Sequence, residues 1–163
     1  MVYNKKDSAC RQIIGYADAN WATDINDRHS VSGYLIQIYG ATTAGSTRKQ
    51  RTVALSSTEA ECQALADCIC EVLWISKLFV ELDMRERKPA EIFEYAIAIA
   101  ESDTSSRKLK HTDVKLNFIK ESTQEGKVNL SYIPTADQSA EILTKGFSSV
   151  LFNKHRMFMG VKT

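Results

Sequence analysis

The chain has 163 residues, 44% of them hydrophobic, and a formal net charge of +1 at pH 7. These values are typical of one globular domain with a sizeable core and exclude an intrinsically disordered chain. No apolar run is long enough to cross a bilayer, and the first residues lack the apolar segment of a signal peptide. We therefore expect an intracellular protein of the cytoplasm or nucleus, not a secreted one. Because the net charge is near zero, contact with nucleic acid would require local basic patches.

The first third of the chain is predicted to form three strands joined by short loops. Beyond a polar lead-in over residues 1–12, the segment Ile13–Ala19 alternates between two faces and places Asp18 near the end of a strand. A second strand is predicted over Gly33–Tyr39 and a third over Thr47–Leu55. Strands connected this closely form an antiparallel meander.

The segment Leu55–Leu82 is predicted to be a long helix with an acid in its apolar stripe. Five apolar residues fall on the same side of this helix as Glu61: Leu65, Cys68, Val72, Ile75 and Phe79. A carboxylate on a buried face is costly unless a cation shares its site, so Glu61 is a candidate functional acid. The alternative is an ordinary acid in the first turn of a helix capped by Ser56 or Ser57.

The remainder of the chain alternates short strands with helices. Pro89 ends a charged linker, Ile92 and Phe93 begin a strand, and Ala96–Glu101 is ambiguous but favours helix because of its alanines. The later predicted elements are a helix over Thr112–Gln124, a strand over Val128–Ile133 and a final helix over Asp137–Lys145. This order predicts an α/β fold in which helices cover a mixed sheet.

Five sequence motifs occur in this order along the chain: GYADANWA, SVSGYLIQ, STRKQRTVALSSTEAE, KHTDVKLNFIKE and YIPTADQSAEILTK. Together they resemble the ribonuclease H domain at the C-terminal end of the Pol polyprotein of copia-type retrotransposons. The resemblance implies a ribonuclease H-like domain over residues 13–147, with residues 148–163 as its C-terminal helical tail. It also implies a five-stranded mixed sheet, three antiparallel strands followed by parallel strands, flanked by helices. In the family, a reverse transcriptase belongs to the same polyprotein.

The resemblance further implies a metal-dependent nuclease site. In the family, acids on the central strands hold two Mg²⁺ ions, for which Mn²⁺ can substitute, at the RNA strand of an RNA-DNA hybrid. One ion activates a water and the other stabilises the leaving oxygen. Asp18 matches the acid of the first strand and Glu61 the acid of the helix. Glu141 matches the final acid, where the family has Asp. The implied metal ligands are therefore Asp18, Glu61 and Glu141.

One acid of the family's set is missing from this chain. The family has a strand that ends in Asp, followed by Asn and Gln, whereas here Glu94 leads directly into Tyr95, as if three residues were deleted. Glu94 is the nearest candidate for the missing catalytic acid. It matches the residue before that Asp, however, and a one-residue offset in a strand turns a side chain to the other face. We therefore expect weak or absent cleavage.

Two basic clusters are candidates for contact with phosphates. They are Arg48, Lys49 and Arg51 before the third strand, and Arg107, Lys108, Lys110 and His111 before the later helix. Such contacts add affinity without reading sequence. The alternative is that both clusters are ordinary solvated loops.

The histidines and tryptophans give weaker signals. His29 and His155 have no acid or cysteine at ligand spacing, so both are predicted to lie on the surface. Trp21 and Trp74 are predicted to be packing residues, with Trp21 close enough to Asp18 in sequence to border the site.

Two functions follow as alternatives. The first is metal-dependent endonucleolytic cleavage of RNA in RNA-DNA hybrids, impaired by the lost acid, with Asp18, Glu61, Glu141 and, through a shifted register, Glu94 as the catalytic residues. The second is a catalytically inactive fold, retained or decayed, that binds nucleic acid or protein.

Overall fold

The computed structural model describes residues 13–84, 89–94 and 110–161, and within them the strands form one five-stranded sheet. The strands are β1 (Ile13–Asn20), β2 (Val31–Ile38), β3 (Ala41–Lys49), β4 (Ala90–Glu94) and β5 (Val128–Tyr132). Their order across the sheet is β3-β2-β1-β4-β5. The first three strands pair antiparallel, whereas β4 runs parallel to β1 and β5 runs parallel to β4. The predicted mixed sheet is confirmed.

One helix follows the third strand, one follows the fourth strand, and a third lies near the C-terminal end of the described residues. They are α1 (Ser57–Glu81), α2 (Lys110–Gln124) and α3 (Ser149–Phe158), and two 3₁₀ turns, Thr135–Asp137 and Ser139–Leu143, precede α3. The helices predicted from the sequence at the positions of α1 and α2 are confirmed, while the predicted helix at Ala96–Glu101 lies outside the described residues. In the described ranges, no helix combines the length and apolarity that a membrane crossing requires.

The third strand begins earlier than the sequence predicted. Tyr39 and Gly40 form a two-residue turn in which both have positive φ, 54° and 74°, and Ile38 pairs directly with Ala41. Such tight turns match the twist of a hairpin, so β3 starts at once. It ends at Lys49, and the predicted strand over Thr47–Leu55 is therefore wrong for most of its length.

One face of the sheet, here called the helix face, carries the main core under α1 and α2. All five apolar residues predicted on the stripe of α1 are buried. They pack against Ile13, Ala17 and Ile92 from the sheet and Ile119 from α2. The approach of α1 is close, since a Cβ added at Gly15 would lie 2.9 Å from Sγ of Cys68. Ser56 caps α1 by accepting a hydrogen bond from the amide of Glu59.

The opposite face, here called the turn face, is covered by the 3₁₀ turns and by α3. Its smaller cluster centres on Tyr16, Leu35 and Ala140. The ring of Tyr16 stacks on Phe93 at 5.4 Å and meets Phe158 edge-on at 5.5 Å. Covered by short turns and one helix, this face buries less apolar surface than the helix face.

The predicted final helix over Asp137–Lys145 is wrong, because the chain forms 3₁₀ turns there. Gln138 adopts an extended conformation with ψ 97° between the two turns. Its side-chain amide donates to the carbonyls of Ala17 at 2.8 Å and Phe93 at 3.2 Å. These hydrogen bonds hold the segment against the sheet. They stabilise the 3₁₀ turns more than the backbone hydrogen bonds of a continuous α-helix would.

Candidate functional site

Asp18 lies near the end of β1 on the turn face, where the residue as a whole is 9% exposed. Strand alternation sets this direction, because Ala17 and Ala19 belong to clusters on the helix face whereas Tyr16 lies on the turn face. The hydroxyl of Thr144 donates to Oδ2 of Asp18, and Nζ of Lys145 lies 3.4 Å from Oδ1. Both carboxylate oxygens of Asp18 therefore have donors from one short segment of the chain.

Gly33 allows this segment to reach Asp18. It pairs with Asp18 across β1 and β2, and a Cβ at this position would lie 2.7 Å from Cγ2 of Thr144 and 2.9 Å from Cβ of Leu143. Any larger residue would push the 3₁₀ turn away from the strand end. The glycine of the sequence motif SVSGYLIQ therefore has a direct role in forming the site.

Lys145 bridges the first and last of the predicted acids. Its Nζ lies 2.6 Å from Oε1 of Glu141, which is 6% exposed and stands four residues earlier. Burial alone would lower the pKa of Lys145. The hydrogen bonds to Glu141 and Asp18 and the negative charges of both acids outweigh burial, so the pKa of Lys145 is raised. The ammonium is thus held charged between two carboxylates.

Glu61 joins this group from the first turns of α1. Burial raises the pKa of its carboxyl, the negative charge of Asp18 raises it further, and the positive charge of Lys145 opposes both. Glu61 is half-buried and lies close enough to sense both charges. The structure therefore places two of the four predicted acids, Asp18 and Glu141, on one lysine, with a third, Glu61, within electrostatic range of Asp18 and Lys145.

Glu94 lies on the other side of the sheet. It is 1% exposed and follows the alternation of Ala90 and Ile92, which belong to the core of the helix face. Burial raises the pKa of the Cys68 thiol, and the charge of Glu94 raises it further, so Glu94 lies within electrostatic range of this core residue. The structure does not bring Glu94 to Asp18.

The arrangement of the acids does not fit a pair of Mg²⁺ ions. Carboxylate oxygens are the ligands that Mg²⁺ prefers, so the donor chemistry is suitable. Both oxygens of Asp18 and one oxygen of Glu141, however, accept hydrogen bonds from Thr144 and Lys145. Among the described residues, no three His, Cys, Asp or Glu side chains are grouped so that they could hold a metal.

Three polar residues of this site were missed by the sequence reasoning: Gln138, Thr144 and Lys145. Gln138 is 1% exposed, and its bonds to Ala17 and Phe93 fasten the turn that carries Glu141 to both β1 and β4. A side-chain amide has two donors, which suits this double role. The four-residue spacing between Glu141 and Lys145 could have indicated an ion pair between them. No local pattern marked Gln138 or Thr144.

The first basic cluster lies beside a groove of about 350 Å³ between β3, α1 and α2. The groove is lined by Ser32, Arg48, Gln50, Arg51, Thr52, Gln63, Asp67 and Lys115. Arg48 forms an ion pair with Asp67 at 2.9 Å. Lys49 instead pairs with Asp24 at 2.5 Å and Asp27 at 2.6 Å, so two acids already neutralise its charge.

In the second basic cluster, Lys110 begins α2, whereas Arg107 and Lys108 lie outside the described residues.

Two of the predictions for histidine and tryptophan are wrong. His155 is only 2% exposed and stacks on Phe147, where burial lowers its pKa. Trp74 is 59% exposed and does not pack into the core. Trp21 is half exposed, and its indole donates to the carbonyl of Ala54 at 3.0 Å. His29 is half-buried, with Nδ1 2.5 Å from the carbonyl oxygen of Gln50.

The fold is that of ribonuclease H domains. LC11 ribonuclease H1, solved in complex with an RNA/DNA hybrid, superimposes with a TM-score of 0.57 at 20% identity, covering 82% of this chain and 94% of that one. The N-terminal ribonuclease H domain of a Mycobacterium tuberculosis protein superimposes with a TM-score of 0.58 at 11% identity, covering 91% and 98%.

The chain is homologous to part of the Pol polyproteins of copia-type transposons. It is 32% identical over 152 residues to the Pol polyprotein of transposon RE1 from Arabidopsis thaliana, covering 91% of this chain. It is 31% identical over 135 residues to that of transposon TNT 1-94 from Nicotiana tabacum, covering 82%. The chain spans 10% of the length of each polyprotein. No protein-family model matches it.

Proposed function

We propose that this chain is a ribonuclease H-like domain that binds RNA-DNA hybrids and cleaves their RNA strand only weakly. The observation that carries the proposal is the separation of the acids across the sheet. Asp18 and Glu141 share the ammonium of Lys145 on the turn face, whereas Glu94 is buried on the helix face. A site that has lost one carboxylate holds cations poorly, so a rate deficit is expected.

Hybrid binding is supported by the groove and by the related fold. LC11 ribonuclease H1, which shares the fold, was solved with an RNA/DNA hybrid. In this chain the positive side chains Arg48, Arg51 and Lys115 line one groove. Cationic grooves of this kind attract the phosphate backbone, while hybrids are distinguished by shape and by 2′-hydroxyls.

The test is an endonuclease assay on an RNA-DNA hybrid with Mg²⁺ and, separately, Mn²⁺. The wild-type chain is compared with a repaired variant in which Asp-Asn-Gln is inserted after Glu94. We expect the wild type to cleave at a small fraction of the repaired rate. Asp18→Asn in both backgrounds is the control, and it should abolish cleavage in each. Equal rates for the wild type and the repaired variant would contradict the proposal.

A second candidate is an inactive module that only binds nucleic acid, and the engagement of both Asp18 oxygens by Thr144 and Lys145 favours it. Cleavage distinguishes the two, because this candidate predicts none above the Asp18→Asn background. Both candidates predict hybrid affinity that falls steeply with salt and weakens in Arg48→Ala. Because Lys49 already has two acidic partners, Lys49→Ala is the matched variant and should weaken binding less. Undetectable or salt-insensitive binding would exclude both candidates.

A further inference from the structure

Two acids of the turn face, Asp18 and Glu141, already share a cation, and it belongs to the chain. Lys145 places its ammonium 2.6 Å from Glu141 and 3.4 Å from Asp18, and its charge is also felt by Glu61. The side chain of Lys145 is 35% exposed, whereas those of Asp18 and Glu141 are 12% and 8% exposed. Lys145 is therefore the more exposed partner in both ion pairs and lies on the solvent side of the two carboxylates.

The other hydrogen bonds of the site reinforce this position. Thr144, the preceding residue, donates to the second oxygen of Asp18, and its amide donates to the carbonyl of Glu141 at 3.0 Å. Gln138 fastens the same turn to the ends of β1 and β4. Lys145 is therefore delivered by a segment anchored at several points.

We propose that Lys145 is the built-in cation of this site, and that its ammonium excludes a divalent cation from Asp18 and Glu141. Two positive groups cannot share the same two carboxylates at contact distance, because their repulsion is strong where solvent is partly excluded. Removing the lysine charge leaves the carboxylates of Asp18 and Glu141 without their shared cation, and carboxylate oxygens are the ligands that a hard divalent cation prefers. The inference agrees with the weak cleavage proposed above, but its test uses no nucleic acid, so its failure can be distinguished from a failure to cleave hybrids.

The experiment is calorimetric titration of the full chain with MnCl₂ in the absence of nucleic acid. Lys145→Met should bind one Mn²⁺ at least about tenfold more tightly than the wild type. Lys145→Arg keeps the charge and should retain the wild-type affinity. Adding Asp18→Asn to Lys145→Met should remove the gain. The matched control is Lys154→Met, since Lys154 also pairs with an acid, Asp137, but outside this site.

The proposal is overturned if Lys145→Met binds Mn²⁺ no more tightly than the wild type, including the case in which neither binds. An equal gain in Lys154→Met would also overturn it, because any lysine removal would then suffice. If circular dichroism shows that Lys145→Met does not fold, Lys145→Gln takes its place, since its amide can still donate to Glu141. The same tenfold criterion then applies.

Discussion

The two faces of the sheet are built differently, and the difference determines where the candidate chemistry lies. The helix face is covered by two long helices over a continuous apolar core, with Ile92, Val72 and Ile119 essentially inaccessible to solvent. The turn face is covered by short 3₁₀ turns and α3, and its contacts to Asp18 are polar. One face therefore supplies stability, whereas the other can hold charged groups near solvent.

Asp18 and Glu94, at the ends of the adjacent strands β1 and β4, lie on different faces of the sheet. β1 and β4 are parallel neighbours, and Tyr16 pairs with Phe93 in their register. The next residue on each strand, Ala17 or Glu94, faces the opposite way, and Asp18 comes one position later. Asp18 is therefore one register position further along than Glu94. This offset directs the carboxylate of Asp18 to Lys145 on the turn face, whereas the carboxylate of Glu94 is buried on the helix face.

The largest expected effect is on the helix face. Ile92→Ala should lower the free energy of unfolding by about 3 kcal/mol, because it leaves a cavity in a close-packed core. Leu143→Ala on the turn face should cost about 1 kcal/mol, since Leu143 is only partly buried. Urea denaturation measures both variants. Equal costs would show that the two faces do not differ in the way described.

The second effect concerns Gln138, which fastens the 3₁₀ turns of the turn face to the strands β1 and β4. Gln138→Ala should cost about 1–3 kcal/mol, because it removes the donors to the buried carbonyls of Ala17 and Phe93. Gln124→Ala, at the exposed end of α2, is the matched control and should cost under about 0.5 kcal/mol. If thermal and urea unfolding gave both variants the same stability, Gln138 would have no anchoring role.

The third effect is a pH dependence of the turn face through His155. Burial lowers its pKa below the ordinary value of 6.5, so only the unfolded state takes up the proton just below that pH. Stability should therefore fall as the pH drops from about 7 towards 5. His155→Phe keeps a ring beside Phe147 and should make this fall shallower, because the titrating group is gone. Parallel stability-pH profiles for the two proteins would contradict the assignment.

The smallest effect on stability is expected at the groove. Arg48 and Asp67 form an exposed ion pair, so Arg48→Ala should change the free energy of unfolding by about 0.5 kcal/mol or less. Its hybrid affinity should nevertheless fall, with the slope of log affinity against log salt reduced by about 1. Fluorescence anisotropy at several salt concentrations measures this slope. An unchanged slope would remove Arg48 from the binding surface.

Much of the architecture could be predicted from the sequence because it is recorded in local periodicity. The stripe around Glu61 and the alternation around Asp18 each predicted an element and the side it buries. β3 was misplaced because the segment Ala41–Lys49 has little apolar alternation. The turn before it, Tyr39-Gly40, also lacks the usual asparagine or aspartate signal.

The polar contacts of the site could not be predicted because they join distant parts of the chain. Thr144 and Lys145 lie more than 120 residues from Asp18, and Gln138 lies equally far from Ala17. Tertiary hydrogen bonds of this kind also converted the predicted helix over Asp137–Lys145 into 3₁₀ turns. The family resemblance brought Asp18, Glu61 and Glu141 together, but it gave no indication of the lysine among them.

The most direct test of the central claim is a crystal structure of the wild-type chain grown with Mn²⁺, with anomalous scattering used to locate the ion. The account predicts that the carboxylate of Glu94 stays buried on the helix face and shares no ion with Asp18. An anomalous peak coordinated by both Glu94 and Asp18 would show that the acids are complete and would contradict the account.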